Sequence, residues 1–196
     1  MGRHRRGKPP RIYLAGPEVF LPDPQAAGRA KAHICRNYGL EGLFPLDAEL
    51  ALDGLGKQEQ ARRIAMANES LMRTADGIVA NLTPFRGVSM DCGTAFEVGF
   101  MRALGRPVFG YTNTVVLFAK RVSQHRSLPM QTWDCDRPDI AIENFDLAEN
   151  LMVTEAIGAS GGTLETFDAD SGDRLEGQAA FEVCVARAAR YFGLLD

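Results

Sequence analysis

Residues 76–111 read DGIVANLTPFRGVSMDCGTAFEVGFMRALGRPVFGY, and this stretch decides the predicted fold. The apolar run from Gly77 to Leu82 is typical of a strand buried on both faces, and Val108 to Tyr111 is typical of the next strand. Between them, a polar loop from Thr83 to Met90 leads into a segment with helical apolar spacing that ends at Gly105. Ligands of parallel sheets bind at the carboxyl ends of the strands, so we expect this loop and the first helical turns to face a crevice.

The rest of the chain adds elements of the same kind. A first strand is predicted at Arg11–Ala15, and the loop that follows it, from Gly16 to Asp23, is expected to overhang the same crevice. Further strands are predicted at 43–45 and 163–167, and helices at 24–38, 58–74 and 177–192. Residues 112–139 show little periodicity and are interpreted as a long excursion. The predicted fold is a single doubly wound α/β domain, with a mostly parallel five-stranded sheet flanked by helices.

Composition narrows the class of protein. The 196-residue chain is 45% hydrophobic and 24% charged, which is ordinary for one soluble globular domain. No apolar run approaches the roughly 20 residues that span a bilayer, and no signal peptide is indicated. The four cysteines are scattered without a CxxC pair, so neither a disulfide framework nor a zinc site is predicted. We expect a cytoplasmic protein with no membrane contact, no metal and no cofactor.

Positive charge is concentrated at the start of the chain. The first eleven residues contain five basic side chains and no acid: Arg3, Arg5, Arg6, Lys8 and Arg11. The whole chain has a net charge of −3, so the part that follows carries −8. Residues 1–10 are interpreted as a disordered basic arm and residues 11–196 as the folded domain. An acidic body offers no basic face to neutralise phosphates, so no nucleic-acid partner is expected.

The chemistry must come from carboxylates, since the chain has no GxGxxG after its first strand, no P-loop and no GxSxG elbow. Asp91 stands at the predicted N-cap of the crevice helix, where it would also serve as an ordinary cap. Glu97 follows under two turns later, next to Phe100 and Met101. Ionising a carboxylate among apolar groups is costly, and such burial is found at active sites. Two carboxylates about 5 Å apart suit cleavage of a glycosidic bond with retention.

Asn68 is the other polar residue of interest. It lies close to the apolar stripe of the helix at 58–74, which is formed by Ile64, Leu71 and Met72. Such an inward asparagine is either a core polar group with a backbone partner or a ligand contact. Both interpretations stay open.

Four blocks of residues resemble the nucleoside 2-deoxyribosyltransferase family. They are IYLAGPEVF at 12–20, TPFRG at 83–87, DCGTAFEVG at 91–99 and NLM at 150–152. The similarity extends from Ile12 to about Phe192. It implies a flavodoxin-like domain, assembled as a homo-oligomer, that moves a 2-deoxyribosyl group from a deoxynucleoside to a free nucleobase.

The resemblance also implies roles for individual residues. Glu97 matches the nucleophile, Asp91 the group that helps protonate the leaving base, and Tyr13 the tyrosine that orients the glutamate. Phe20 is expected to line the base pocket, and Asn150 to complete the site of a neighbouring subunit. The other predicted substrate contacts are Gly16, Pro17, Asn68 and Met152. Many family members have aspartate where Asn68 stands, and since an amide cannot give up a proton, the base preference stays open.

Three functions remain possible from the sequence. The first is base exchange through a covalent glycosyl ester. The second is an N-glycoside hydrolase on the same scaffold, acting on nucleosides or nucleoside 5′-monophosphates. A 5′-phosphate would need helix amides with Ser or Arg nearby, so Asn150 favours a plain hydroxyl. The third is a non-catalytic nucleoside sensor, which the presence of both Asp91 and Glu97 disfavours.

Overall fold

The computed structural model describes residues 7–47, 50–126, 141–169 and 174–196. Its strands are β1 (Arg11–Ala15), β2 (Glu41–Leu43), β3 (Gly77–Asn81), β4 (Val108–Thr112) and β5 (Leu164–Thr166). Its helices are α1 (Pro24–Asn37), α2 (Lys57–Thr74), α3 (Cys92–Ala103), α4 (Phe118–Arg126), α5 (Leu151–Ala159) and α6 (Ala179–Tyr191). Short 3-10 turns lie at Pro17–Phe20 and Pro45–Asp47.

The sheet has the order β2-β1-β3-β4-β5, and all four strand pairs are parallel. This order is the flavodoxin-like one, so the predicted fold class is confirmed. The chain moves outward in opposite directions from β1 and from β3. The crevice therefore lies at the carboxyl ends of these two neighbouring strands, where ligands of such sheets bind.

Alternating side chains of the strands pack into two separate cores. Ile12 and Leu14 of β1 lie with α1 and α6 on one face of the sheet. Tyr13 and Ala15 lie on the opposite face, in the core that includes Met72 of α2 and residues of α3 and α5. Successive residues of a strand point to opposite faces, so this division decides which side chains reach each half of the crevice. We call the two sides the α1/α6 face and the α3 face.

The strand and helix boundaries correct some of the sequence predictions. The second strand is Glu41–Leu43 instead of 43–45, because Pro45 has no backbone N–H for the sheet and begins a 3-10 turn. The predicted excursion at 112–139 contains the helix α4 in its first half, while residues 127–140 lie outside the described part of the chain. On α2, Met72 is buried as predicted, but Ile64 is 37% exposed, so the inward stripe is shorter than expected.

The two ends of the chain differ in what is described. Residues 1–6 of the predicted basic arm lie outside the described residues, so its disorder remains a prediction. From Pro10 onward the chain belongs to the sheet, since the Pro10 carbonyl accepts a hydrogen bond from the Glu41 amide at 2.9 Å. Among the described residues, no helix has the length and apolar character needed to cross a membrane.

Candidate active site

Tyr13 and Glu97 meet at the carboxyl end of β1 on the α3 face. Tyr13 is fully buried, and its hydroxyl donates a 2.5 Å hydrogen bond to Oε1 of Glu97. The alternation along β1 points Tyr13 toward α3, and Glu97 lies in the second turn of that helix. The structure therefore brings together two of the three predicted catalytic residues.

The half-buried Glu97 carboxyl has a pKa raised to about 7. Burial is the largest cause, because it penalises the charged form. The hydrogen bond from Tyr13 acts in the opposite direction, and the negative charge of Asp91 raises the pKa further. Burial beside Glu97 also raises the pKa of the Tyr13 hydroxyl, so this hydroxyl stays protonated and remains a donor. The carboxyl therefore keeps its proton to a higher pH than an ordinary glutamate does.

Asp91 is the N-cap of α3, as the sequence predicted. Its Oδ2 accepts a 3.1 Å hydrogen bond from the Thr94 amide, and the Thr94 hydroxyl lies 3.4 Å away. Among the described residues the other carboxylate oxygen accepts no hydrogen bond, and Asp91 is only half-buried. The cap and the proposed proton donor are therefore compatible roles for one side chain.

The loop after β1 begins at the carboxyl end of that strand. Gly16 must lack a side chain, because a Cβ there would clash with the Glu18 carboxylate and lie 2.8 Å from Cβ of Asn81. Pro17 begins the 3-10 turn that ends at Phe20. The Phe20 ring is 52% exposed, which leaves it accessible to a ligand. The loop thus places an aromatic surface at the crevice, where the base pocket was predicted.

A second aromatic ring continues this surface. Phe85, in the loop before α3, stacks on Phe20 with ring centroids 5.4 Å apart and an interplanar angle of 11°. The Arg86 guanidinium lies 4.6 Å from the Phe20 ring centroid and 4.5 Å from that of Phe85. Arg86 has a φ of 54°, an uncommon backbone conformation for a residue other than glycine. The two crevice loops therefore meet through the Phe20–Phe85 stack, a contact that the sequence did not predict.

Glu18 was not among the predicted site residues, because a carboxylate in a short loop is normally solvated. It is only 2% exposed, and it pairs with Lys31 of α1, which is 6% exposed. Glu18 is buried because the loop folds back on α1 and brings it against Lys31, 13 positions along the chain. A charged residue between the apolar Pro17 and Val19 is the one signal in the sequence that could have indicated it.

Asn150 and Met152 lie at the start of α5. Asn150 is its N-cap: Oδ1 accepts from the Met152 amide at 3.0 Å, and Nδ2 donates to Glu143 at 2.8 Å. Among the described residues, neither hydrogen bond joins Asn150 to the Tyr13–Glu97 pair. The Met152 side chain is 71% exposed. Met152 is thus displayed to solvent while Asn150 is half-buried, and their contact with a neighbouring subunit stays a prediction.

A buried ion pair fixes the segment before α5. Glu149 is 1% exposed and accepts a 2.9 Å hydrogen bond from Arg121 of α4. It also accepts hydrogen bonds from the Ser89 hydroxyl at 2.6 Å and from the Met90 amide at 3.2 Å. Glu149 therefore links α4 to the end of the loop that leads to Asp91, another contact between distant segments that the sequence did not indicate.

Asn68 is half-buried on α2. Within the described ranges its amide makes no hydrogen bond, so the interpretation as a core polar group with a backbone partner is not supported. Its role as a substrate contact remains a prediction. The part of the chain that the structure describes also contains no group of three or more His, Cys, Asp or Glu side chains placed to hold a metal ion.

The parallel 2-1-3-4-5 sheet and the Tyr13–Glu97 pair at its central crevice define a flavodoxin-like α/β protein with a carboxylate-based site. Comparison with known proteins refines this class. The sequence profile described as nucleoside 2-deoxyribosyltransferase matches residues 12–152. The chain belongs to the nucleoside 2-deoxyribosyltransferase family, as the resemblance in the sequence predicted.

Individual relatives are consistent with this assignment. A 2-deoxyribosyltransferase from Leishmania mexicana superposes with a TM-score of 0.55 at 29% identity, over 90% of this chain and 97% of that chain. A 2-deoxyribosyltransferase from Bacillus psychrosaccharolyticus, at 20% identity and a TM-score of 0.50, covers 88% and 95% of the two chains and supports the fold alone. An uncharacterised protein of Schizosaccharomyces pombe is 34% identical over 128 residues, which is 64% of this chain and 59% of the relative. The match thus spans little more than half the length of that curated relative.

Proposed function

We propose that this protein transfers a 2-deoxyribosyl group from a deoxynucleoside to an acceptor nucleobase through a glycosyl ester on Glu97, with retention at the anomeric carbon. The observation that carries the proposal is the Glu97 carboxyl: it lies at the crevice, is oriented by Tyr13 and has a pKa raised to about 7. A carboxylate nucleophile held in this way suits glycosidic chemistry. Membership of the family supports the same assignment.

The first half-reaction breaks the bond between C1′ and the base. Tyr13 occupies Oε1 of Glu97, so Oε2 is the oxygen that attacks C1′. The electron pair of the C1′–N bond passes to the base, and Asp91 gives a proton to a ring nitrogen. The products are a neutral free base, the glycosyl ester and the Asp91 carboxylate. The anomeric configuration is inverted once.

The second half-reaction reverses these events with another base. A ring nitrogen of the acceptor attacks C1′, and the ester bond electrons return to Glu97 as its carboxylate. The Asp91 carboxylate takes the proton that the acceptor nitrogen loses, which regenerates the acid form. The second inversion gives net retention. No cofactor is required by this balance of protons and electrons.

The aromatic stack is expected to favour an acceptor base over water in the reaction with the glycosyl ester. The exposed Phe20 ring, against which Phe85 and the Arg86 guanidinium pack, offers an aromatic surface on which a nucleobase can stack. A base in this position also displaces water from the neighbourhood of C1′. Transfer then exceeds hydrolysis whenever an acceptor is bound, and a hydrolytic leak remains when none is present.

Assembly completes the proposed site. Among the described residues, no hydrogen bond joins Asn150 or Met152 to the Tyr13–Glu97 pair of the same chain, and Met152 is largely exposed. We propose that the protein is a homo-oligomer in which these residues approach the sugar bound in a neighbouring subunit. The Asn150 side chain is already oriented by Glu143 and by the Met152 amide, and its Nδ2 and Oδ1 each keep capacity for a further hydrogen bond.

The hydrolase of nucleoside 5′-monophosphates is less well supported by the geometry. Ser89 is the serine of the crevice loop, and its hydroxyl donates a hydrogen bond to Glu149. Arg121 of α4 is paired with the same carboxylate. Ser89 and Arg121 are both engaged by an acid, so neither is left to bind a phosphate, and this favours a neutral 5′-hydroxyl.

The test is base exchange. Incubation of 2′-deoxyadenosine or thymidine with and without a second free base, followed by chromatography, should give the exchanged deoxynucleoside only when the acceptor is present. Initial-rate plots at several acceptor concentrations should be parallel, the ping-pong pattern. A slow-reacting 2′-fluoro analogue should leave its sugar mass on the peptide that contains Glu97. Intersecting lines without an adduct would contradict the ester, and hydrolysis indifferent to every base would instead favour the hydrolase.

A further inference from the structure

A buried polar cluster lies on the α1/α6 face of the sheet, and no catalytic step uses it. Its members are Glu18, Lys31, Tyr111 and Asn81, all at most 6% exposed. Lys31 Nζ forms an ion pair with Glu18 Oε1 and donates to the Tyr111 hydroxyl at 2.7 Å. The Tyr111 hydroxyl in turn donates to Glu18 Oε1 at 3.0 Å, and Asn81 Nδ2 donates to the same oxygen at 2.7 Å. Three donors therefore converge on one oxygen of Glu18.

The cluster is separated from the reacting atoms by the sheet. Ala80 of β3 belongs to the core on the α3 face, so the next residue, Asn81, points to the opposite face. Tyr111 lies in the α1/α6 core with Phe181, whose ring centroid is 4.9 Å from Lys31 Nζ. Among the described residues, no hydrogen bond joins the cluster to Tyr13 or Glu97. Any effect on catalysis must therefore act through the loops that the cluster holds.

Stability alone does not account for a buried ion pair. Taking an ammonium and a carboxylate out of water costs several kcal/mol for each ion, and apolar replacements of similar size are often at least as stable. The pair is satisfied by neighbouring hydrogen-bonding groups, so it constrains geometry closely. What this geometry fixes is the position of the two loops attached to it.

Both crevice loops start from this cluster. Glu18 is the second residue of the 3-10 turn that carries Phe20, and its carboxylate fills the space that the missing side chain of Gly16 leaves. Asn81 ends β3, and its Oδ1 accepts a 3.0 Å hydrogen bond from the Thr83 amide, at the start of the loop that carries Phe85. The tips of the two loops then meet in the Phe20–Phe85 stack.

We infer that the Glu18–Lys31 pair, with Tyr111 and Asn81, is a positioning device that sets one crevice loop against the other and so places the Phe20–Phe85 surface for the nucleobase. The part of this inference that concerns nucleobase binding rests on the proposed function. These four are positioning residues, since none touches the reacting atoms. Their loss should weaken base binding more than it slows the chemistry at C1′.

Three variants separate positioning from stability. Lys31→Met and Glu18→Gln each leave one buried partner without its counter-charge, so both should lower the melting temperature. The double variant Glu18→Gln/Lys31→Met removes both charges and should recover most of the melting temperature. If the pair positions the loops, the double variant should still show a KM for the acceptor base raised about tenfold, with kcat changed less than about threefold. Arg187→Met is the matched control, because its ion pair with Glu165 is exposed and its kinetic constants should stay those of the unaltered protein.

Hydrogen–deuterium exchange tests the loops without relying on activity. In the double variant, peptides covering residues 16–21 and 83–90 should exchange faster, while peptides of α6 should not change. A KM that recovers together with the melting temperature would overturn the inference, as would unchanged exchange in both loop peptides. If the unaltered protein exchanged no bases at all, the proposed function would fall, while faster local exchange would still support the fixing of the loops.

Discussion

The Tyr13 hydroxyl donates a 2.5 Å hydrogen bond to Glu97 Oε1 across a separation of 84 positions in the chain. The bond joins β1 to α3 at the crevice, and it acts on the pKa of Glu97 against the effect of burial. Tyr13 thereby keeps the carboxyl closer to its ionised form than burial alone would allow. It also selects which of the two carboxylate oxygens stays available.

Tyr13→Phe should move the pH profile of the reaction. Without the donated hydrogen bond, the pKa of Glu97 rises above its value of about 7, because burial and the charge of Asp91 remain. The attacking form is the carboxylate, so the acidic limb of kcat/KM should shift to higher pH and activity at pH 6 should fall most. The profile of kcat/KM from pH 5 to 9 measures this. An unshifted limb would mean that Tyr13 does not control the ionisation of Glu97.

Glu97→Gln should remove the nucleophile and preserve the fold. We expect turnover to drop by at least about 10³-fold, since a neutral amide cannot form the ester. Glu155→Gln, an exposed glutamate on the neighbouring helix α5, is the control and should stay fully active. Retention of more than about a tenth of the rate by Glu97→Gln would exclude it from this role.

Glu97 should also make stability depend on pH. Its pKa in the folded protein is raised from 4.5 to about 7, so the folded state holds the proton more tightly than the unfolded chain. The ionised form is therefore penalised by folding, and the contribution of this group to stability falls as pH rises from about 4.5 to about 7. Glu97→Gln should melt at a higher temperature than the unaltered protein at pH 8. At pH 4.5 the difference should be smaller, and an equal difference at both values would contradict the raised pKa.

Asp91 should show two separable functions. Asparagine is as good an N-cap as aspartate, so Asp91→Asn should keep the stability of α3 while losing the proton donor. Asp91→Ala should lose both, with about 1 kcal/mol less stability from the missing cap. Turnover should fall in both variants, but less than in Glu97→Gln, because some bases leave with help from water. Thermal melts and rates of the two variants, measured side by side, distinguish the cap from the acid.

Sharing of the site between subunits can be tested by complementation. If Asn150 serves a neighbouring site, Asn150→Ala and Glu97→Gln homo-oligomers should each be weakly active. Subunit exchange between them should create some sites with both residues intact and so restore part of the activity. Light scattering should show a dimer or larger assembly. A fully active monomer would contradict the proposal, and an unrecovered mixture with proven subunit exchange would place Asn150 in its own subunit's site.

The sequence predicted the centre of the molecule well. Continuous apolar runs mark β3 and β4, and the spacing after Asp91 marks α3, because a buried parallel strand and its crossover helix leave little freedom in composition. Gly105 ends α3 with a φ of 69°, as a helix-terminating glycine should. The meeting of Tyr13 with Glu97 followed from the family resemblance and not from spacing.

What the sequence missed depends on contacts between distant segments. Lys31 occupies an ordinary polar position of an amphipathic helix, and nothing local shows that it is buried against Glu18. The ion pair between Arg121 and Glu149 could not be predicted either, because each residue lies in a segment with weak periodicity. Ile64 was expected to be buried, yet α2 exposes most of its length. Pairing of charges and the orientation of a helix on a sheet are tertiary properties that a periodic pattern does not carry.

The two outermost strands, β2 and β5, are only three residues long each. Short edge strands present few free backbone N–H and C=O groups, so the sheet is a poor template for pairing with a strand of another copy. If the chain assembles as proposed, its copies are expected to associate through helices. The exposed apolar side chains Met66, Phe96 and Met152 belong to α2, α3 and α5, the same layer that carries Glu97. In the proposed assembly, the nucleophile and the subunit contacts would share one layer of helices, so engineering either property would tend to alter the other.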